Sequence, residues 1–281
     1  EMSGLEAVTL QPCAGAHGEL TGLMMIRAFH EKNKNPRKYV LIPDSAHGTN
    51  PASVSIAGYQ SVQLKSDETG LIDLEQLRQN LNDETAALML TNPNTLGLFE
   101  KNVDKIVDMV HDAGALVYMD GANMNALLGI VRPGDIGIDV LHFNLHKTFA
   151  TPHGGGGPGS GPVGVSKKLV NFLPVPLIQK AKDGYQFCFD SEDTIGKISS
   201  FYGNFAIIVR AYAYIKSLGC DGLKEISRNA ILNANYLLSL LKEEYDVPYQ
   251  STPMHEFVLS GERQRKLGIK TLDIAKRLLD F

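Results

Sequence analysis

Short apolar runs alternate with helix-period segments along the first 165 residues. Apolar runs at 5–10, 39–42, 60–64, 86–91, 115–120, 139–145 and 162–165 predict strands. Between them, 16–33, 51–57, 73–81 and 101–113 predict helices. Over 73–81, Asp73 is placed to cap, Gln76 completes a capping box, and Leu74, Leu77 and Leu81 form one face. The segment 101–113 carries Ile106, Val107, Met109 and Val110 and stops at Gly114, the expected C′ residue. Alternation at this spacing predicts an α/β fold around a mainly parallel sheet, with helices on both faces. Beyond residue 200 the strand rhythm ends. Long helices are expected over 204–218 and 222–243, then a strand over Met254–Leu259. We read 1–220 as a large domain and 221–281 as the start of a smaller one.

Composition narrows this frame. A chain of 281 residues, 43% hydrophobic, buries a sizeable core. A net charge of −4, without runs of like charge, argues against a nucleic-acid partner. No apolar run approaches the ~20 residues that span a bilayer, so no membrane association is expected. Cys13, Cys188 and Cys220 are far apart and odd in number, which fits a reducing, cytoplasmic compartment. The chain opens on Glu1 almost directly before an apolar run. Its last amphipathic stretch, with Leu272, Ala275, Leu278 and Leu279 on one side, stops uncapped. Both ends are expected to be internal to a longer chain.

Ligands of such sheets bind beyond the carboxyl ends of the strands, so charged residues there matter. Asp120 ends one strand and Lys147 follows another. Taken singly, either is most simply a surface charge. Together they suit pyridoxal 5′-phosphate, with Lys147 holding the cofactor as a Schiff base and Asp120 keeping its ring nitrogen protonated. Gly15, Ala16 and His17 lie between a strand and a helix, where backbone N–H groups and the helix dipole favour a phosphate. His47 follows the second strand and is placed to stack on a ring, with Thr49 or Asn50 capping a helix that begins at Pro51. Thr91-Asn-Pro-Asn-Thr-Leu-Gly97 is a third strand-end turn and brings Thr95 toward the same crevice.

Other patterns fit less well. The run from His153 to Val165 contains G-x-G-x-x-G twice, but prolines interrupt it and it leads into a strand rather than a helix. A P-loop fails, because Gly196-Lys197 is followed by Ile198. The run reads instead as a loop whose missing side chains admit a bulky group beside Lys147. His142 and His146, four apart on an expected strand, lack an evident third ligand, so no metal is expected.

With these residues assembled, the sequence resembles glycine decarboxylase, the P-protein of the glycine cleavage system, through most of its length. The matching segments are Gln11-Pro12 with Ala14-Gly-Ala-His-Gly-Glu-Leu-Thr-Gly22, Asp44-Ser-Ala-His-Gly-Thr-Asn-Pro51 and Thr91–Gly97. They continue with Met119-Asp-Gly-Ala-Asn-Met-Asn125, Asn144-Leu-His-Lys-Thr-Phe149, the glycine run, Ser200-Phe-Tyr-Gly-Asn204 and Met254-His-Glu-Phe257. The form is similar to the cofactor-bearing subunit 2 of the two-subunit bacterial type, as a fragment. The resemblance implies a fold-type-I pyridoxal-phosphate enzyme that decarboxylates glycine and passes the aminomethyl group to the lipoyl arm of the H-protein. It implies a partner subunit 1 in a heterotetramer.

It also implies a catalytic Lys147, with Asp120, His47, Gly15, Ala16, His17, Ala122, Asn144 and His146 around the cofactor. Thr95, His153, Gly154, Gly155 and Gly156 are assigned to the substrate or lipoyl-arm side. Cys13 stands where a small residue such as alanine is usual. Two alternatives remain open: a non-catalytic assembly paralogue or inactive piece, and another pyridoxal-phosphate decarboxylase or lyase.

Overall fold

The computed structural model describes residues 2–156 and 158–281; Glu1 and Gly157 of the glycine run lie outside the described residues. Seven apolar runs form one sheet: β1 (Ala7–Thr9), β2 (Tyr39–Pro43), β3 (Gln60–Leu64), β4 (Thr85–Thr91), β5 (Leu116–Gly121), β6 (Val140–Phe143) and β7 (Val163–Val165). Their order is β1-β7-β6-β5-β4-β2-β3. The pairings from β3 through β6 are parallel, whereas β7 runs antiparallel to both β6 and β1. The helices of the parallel part are α1 (Gly15–Lys32), α2 (Thr49–Ile56), α3 (Leu74–Asn80) and α4 (Val103–Asp112). A single turn, α5 (Leu145–Thr148), follows β6.

The strands inside the sheet, β2 and β4 to β7, are buried on both faces because they carry apolar residues at odd and even positions alike, whereas edge strand β3 exposes Gln60, Ser61 and Gln63. Val40, Ile42, Ala87, Met89, Leu116, Tyr118 and Val140 face Leu23, Met25 and Ile26 of α1 and Val54 of α2. Leu41, Leu88, Leu90, Val117, Met119 and Leu141 face the opposite layer, where Leu77 of α3 and Ile106 and Val110 of α4 pack. Helix α1 lies close to its face at Gly22, where an added Cβ would meet the Tyr118 ring and stand 2.7 Å from Val140 Cγ1. Gly22→Ala should therefore destabilise the fold by about 1–3 kcal/mol through overpacking, read as a lower urea midpoint.

Asp139, at the mouth of β6, ties the layers together. Its buried carboxylate accepts from Val117 N at 3.0 Å and Ser166 Oγ at 3.0 Å, and pairs with His111 at 2.7 Å and Lys168 at 3.0 Å. Burial pushes its pKa up, but the His111 hydrogen bond, the Val117 N–H and the Lys168 charge outweigh it and hold the carboxyl below its usual range. A carboxyl with a depressed folded value stabilises the protein above its unfolded value of about 3.9. That stability is lost as pH falls through the folded value. Asp139→Asn should cost about 1–3 kcal/mol at pH 7, a deficit that shrinks in urea titrations run below pH ~4.

The second half departs from the pattern in four places. Residues 177–188, to which the hydrophobic pattern assigns nothing, form a hairpin of β8 (Leu177–Ala181) and β9 (Gly184–Cys188). Its Ile178, Tyr185 and Phe187 are exposed, so no burial imposes an alternation to read. The two expected long helices are contiguous in α6 (Phe205–Leu241), broken only at Gly219, whose φ of 63° and ψ of −171° interrupt the helical path. Ile207, Ala211 and Leu223 of α6 cover the α4 side of the sheet. Met254–Leu259 is not a strand: it crosses the turn after β4 as irregular chain, with Met254 N bonded to Gly97 O at 2.7 Å. Short helices α7 (Glu262–Lys266) and α8 (Thr271–Leu278) follow, and Leu272, Leu278 and Leu279 are exposed.

Boundaries elsewhere moved for local reasons. The expected strand 139–145 stops at Phe143, because the chain turns at Asn144 into α5. His146 is therefore helical, and the shared strand face expected for it and His142 does not exist. Asp73 Oδ1 accepts from Glu75 N and Gln76 N at 2.8 and 3.2 Å. The reciprocal bond from the Gln76 side chain does not form among the described residues, so the box is half made.

Candidate active site

The sheet delivers its site at the carboxyl ends of β4, β5 and β6. Register sets Thr91 beside Asp120 and Asp120 beside His142. A cavity of about 200 Å³ opens over these ends, lined by His47, Thr91, Thr95, Asp120, Ala122, Asn123, Lys147 and Glu256. Lys147 reaches it from α5, which begins immediately after β6. Five residues singled out from the sequence, His47, Thr95, Asp120, Ala122 and Lys147, thus share one wall-to-wall space.

Asp120 is 3% exposed yet ionised. Burial pushes its pKa up, but the neighbouring His142, hydrogen bonds from Asn50 and the Ala122 N–H, and the Lys147 charge together hold it below the usual carboxylate value. Asn50 Nδ2 donates to Oδ2 at 3.1 Å and Ala122 N to Oδ1 at 2.9 Å. His142 Nε2 lies 3.3 Å from Oδ1, off the hydrogen-bonding line. A second carboxylate, Glu19 of α1, accepts from Thr49 Oγ1 at 2.8 Å and Ser53 Oγ at 2.9 Å.

Glu19, Asp120 and His142 offer ligand atoms within 4.8 Å of one another, so carboxylates do approach His142, contrary to the expectation that no further ligand lay near it. The donors already bonded to each carboxylate make this a hydrogen-bonded cluster rather than an open ligand set. Helix α2 begins at Thr49, not Pro51, and neither Thr49 nor Asn50 caps it. Both side chains are spent on the carboxylates instead.

The start of α1 is a second, separate feature. Its N-cap Ala14 has no capping side chain, its first turn has no acid, and the N–H groups of Gly15, Ala16 and His17 find no acceptor among the described residues. That is the donor array an anion requires. Gly15 presses against the Asn144 side chain, whose Oδ1 is buried without a partner. The His17 ring turns back to its own loop, where Nδ1 accepts from Cys13 N at 3.2 Å. Burial lowers its basicity, outweighing a backbone contact to Ile198. Only its main chain faces the anion position.

His47 is exposed and steadied by Thr49, whose N–H lies 3.2 Å from the ring Nδ1. Thr95 donates its hydroxyl to Ser45 O. His146 does not line the cavity; its ring meets that of His153 edge-on, centroids 4.5 Å apart. Burial, then the charges of His153 and Lys147, lower the basicity of His146. Gly154 and Gly155 form a tight turn with φ of 78° and 53°, a left-handed path that favours glycine, with Gly156 closing it. Gly154 and Gly155 do not line the cavity.

Sequence reasoning gave no role to Thr91, Asn123 or Glu256, although all lie in quoted segments. Asn123 Nδ2 donates to Glu256 Oε1 at 3.2 Å, which brings the 254–259 segment onto the site. Glu19, Ser53, Tyr118 and His142 were missed for another reason: they act from beneath Asp120. Only the position of Tyr118, two residues before Asp120 on a strand, signals a shared face.

This architecture is that of the fold-type-I pyridoxal-phosphate-dependent proteins. A solved structure described as glycine decarboxylase (P-protein) of the glycine cleavage system superposes with a TM-score of 0.69 at 23% identity, covering 86% of this chain and 56% of that one. A sphingosine-1-phosphate lyase from Burkholderia pseudomallei gives 0.66 at 15% identity, covering 89% and 56%. Residues 22–157 match the family Aminotransferase class-V, and 226–281 match the C-terminal domain of glycine dehydrogenase.

The particular likeness is to subunit 2 of glycine dehydrogenase (decarboxylating), over the whole of this chain. Identity is 62% to the probable subunit of Chloroherpeton thalassium and 60% to that of Bacillus cytotoxicus, each aligned with 100% of this chain. The chain spans 58% and 57% of the length of those two relatives.

The residues present fit pyridoxal phosphate. The uncapped α1 start suits its phosphate, and the buried ionised Asp120 suits a protonated ring nitrogen. Thr91 Oγ1, on the cavity wall, is buried without a hydrogen-bond partner.

Proposed function

We infer that this chain carries the cofactor-bearing site of an enzyme that decarboxylates glycine. The observation that carries this reading is Lys147 and ionised Asp120 in one cavity, within a chain 62% identical to a glycine dehydrogenase (decarboxylating) subunit. A non-catalytic assembly paralogue would be free to lose either residue. When bound, the cofactor supplies an electron sink for the pair released as carbon dioxide leaves the substrate.

The chain's own residues do the rest. Lys147 Nζ would tether the cofactor covalently and, as a free amine, would hold or return a proton beside the reacting carbon. Asp120 holds the ring nitrogen protonated, and Gly15, Ala16 and His17 offer main-chain N–H groups to the phosphate. His47 would stack on the ring, and Ala122, Asn144 and His146 are assigned to its surroundings. Thr95 and the 153–156 loop are assigned to the side from which a lipoyl arm enters. The acceptor is the lipoylated H-protein, and a subunit 1 completes a heterotetramer in the cytoplasm. Residues 1–220 form the cofactor domain and 221–281 begin the smaller one, a division favoured by the break at Gly219.

The test is exchange of labelled bicarbonate into the carboxyl group of glycine by the full-length chain, with its partner subunit, lipoylated carrier and pyridoxal phosphate. Exchange with glycine and not with other small amino acids is the expected result. Equal exchange with alanine or serine would instead favour another decarboxylase on this fold.

A further inference from the structure

Beneath Asp120 lies a buried chain of groups that the reaction as described does not use. His142 is fully buried on β6, directly across from Asp120 in the strand register. Its Nδ1 is 2.9 Å from the Tyr118 hydroxyl, and its Nε2 is 3.3 Å from Asp120 Oδ1. Tyr118 is fully buried too, and its hydroxyl is 3.4 Å from Gly18 O. Burial, then the nearby Glu19 and Asp120 charges, push the phenol well above its ordinary value, so it stays protonated.

With the phenol hydrogen given to Nδ1, the shorter of its two acceptor contacts, the imidazole hydrogen falls on Nε2, beside Asp120. An ionised carboxylate offers about four lone-pair sites. Asn50 occupies one on Oδ2, while Ala122 N and His142 crowd Oδ1. The open position belongs to Oδ2.

We propose that Tyr118 and His142 act through Asp120: the phenol fixes the Nε2–H tautomer, and that N–H dipole, 3.3 Å from Oδ1, keeps the carboxylate charged while Asn50 and Ala122 hold it with Oδ2 open to the cofactor ring nitrogen. The proposal rests on the reading of the cavity as a pyridoxal-phosphate site. Replacing His142 removes the N–H dipole from beside Oδ1, and the buried carboxylate loses part of what keeps it charged. Replacing Tyr118 by Phe removes the tautomer lock while leaving the imidazole in place.

The experiment uses the full-length chain with pyridoxal phosphate labelled with ¹⁵N in the ring. The wild type should show a protonated ring nitrogen at neutral pH by NMR. In His142→Phe that nitrogen should lose its proton at a lower pH, with kcat down about 10- to 100-fold as the carboxylate loses a supporting dipole. His142→Gln, whose amide also donates, should recover part of both.

Independently of cofactor, histidine-labelled apoprotein should show His142 as the Nε2–H tautomer, becoming mixed in Tyr118→Phe. An Nδ1–H tautomer in the wild type overturns the proposal. So does unchanged ring-nitrogen titration in His142→Phe or, if that variant fails to melt cooperatively, in Tyr118→Phe. A wild type that binds no cofactor would instead refute the reading of the cavity.

Discussion

Lys147→Ala should abolish covalent cofactor attachment and lower turnover by on the order of 10³-fold or more. The lysine is exposed to the cavity from a one-turn helix, so its loss removes no packing and the fold should stand. Noncovalent binding should persist but weaken, because the α1 N–H groups and Asp120 are untouched. The measurement is borohydride reduction of the protein with pyridoxal phosphate, followed by peptide mapping. In the wild type the label should fall on the peptide containing Lys147; in the variant it should be absent. A label on another lysine, or full turnover by the alanine variant, would remove Lys147 from the chemistry.

The second large effect is expected at Asp120→Asn. The amide is isosteric and its oxygen still accepts from Ala122 N, so cofactor binding should be retained within a few-fold. What disappears is the charge. Asp120 remains ionised in spite of its burial because His142, Asn50, the Ala122 N–H and Lys147 outweigh the desolvation. A neutral amide gives the ring nitrogen no counter-charge, so electrons from the breaking bond have no stabilised destination. Decarboxylation should fall by roughly 10²–10⁴-fold, the scale of losing one preorganised electrostatic partner.

A pH consequence runs alongside. The depressed carboxyl stabilises the folded chain above pH ~4 and ceases to do so as pH falls through its folded value. The asparagine variant should lack that part of the acid dependence in denaturant titrations. Unchanged turnover would refute the electron-sink role while leaving Lys147 in place.

Much of the fold was legible because burial leaves a pattern. Strands β2 to β5 and helices α1 to α4 came within two residues of their predicted bounds, since all but β3 carry a continuous apolar run or a 3.6-residue face. The hairpin at 177–188 was not legible, because its side chains are exposed and no periodicity is imposed on them. Met254–Leu259 misled for the opposite reason. Its apolar content comes from packing across a turn, not from pairing in a sheet.

The site divides in the same way. Its strand-end residues could be read because topology fixes where strand ends go, and Asp120, Lys147 and His47 sit at such ends. The sequence by itself determined the α/β alternation, the strand-end carboxylate and amine, and a glycine-rich turn at the start of α1. Only the tertiary structure decided that Asn50, a residue of a neighbouring helix, bonds Asp120. Only the register of β5 against β6 set His142 beneath it, and only the path of 254–259 brought Glu256 to the cavity. The physical reason is that a strand-end position is a local property of a chain. Which groups desolvate together, and so which charge survives burial, depends on contacts between residues of separate elements, 70 positions apart in the case of Asn50 and Asp120.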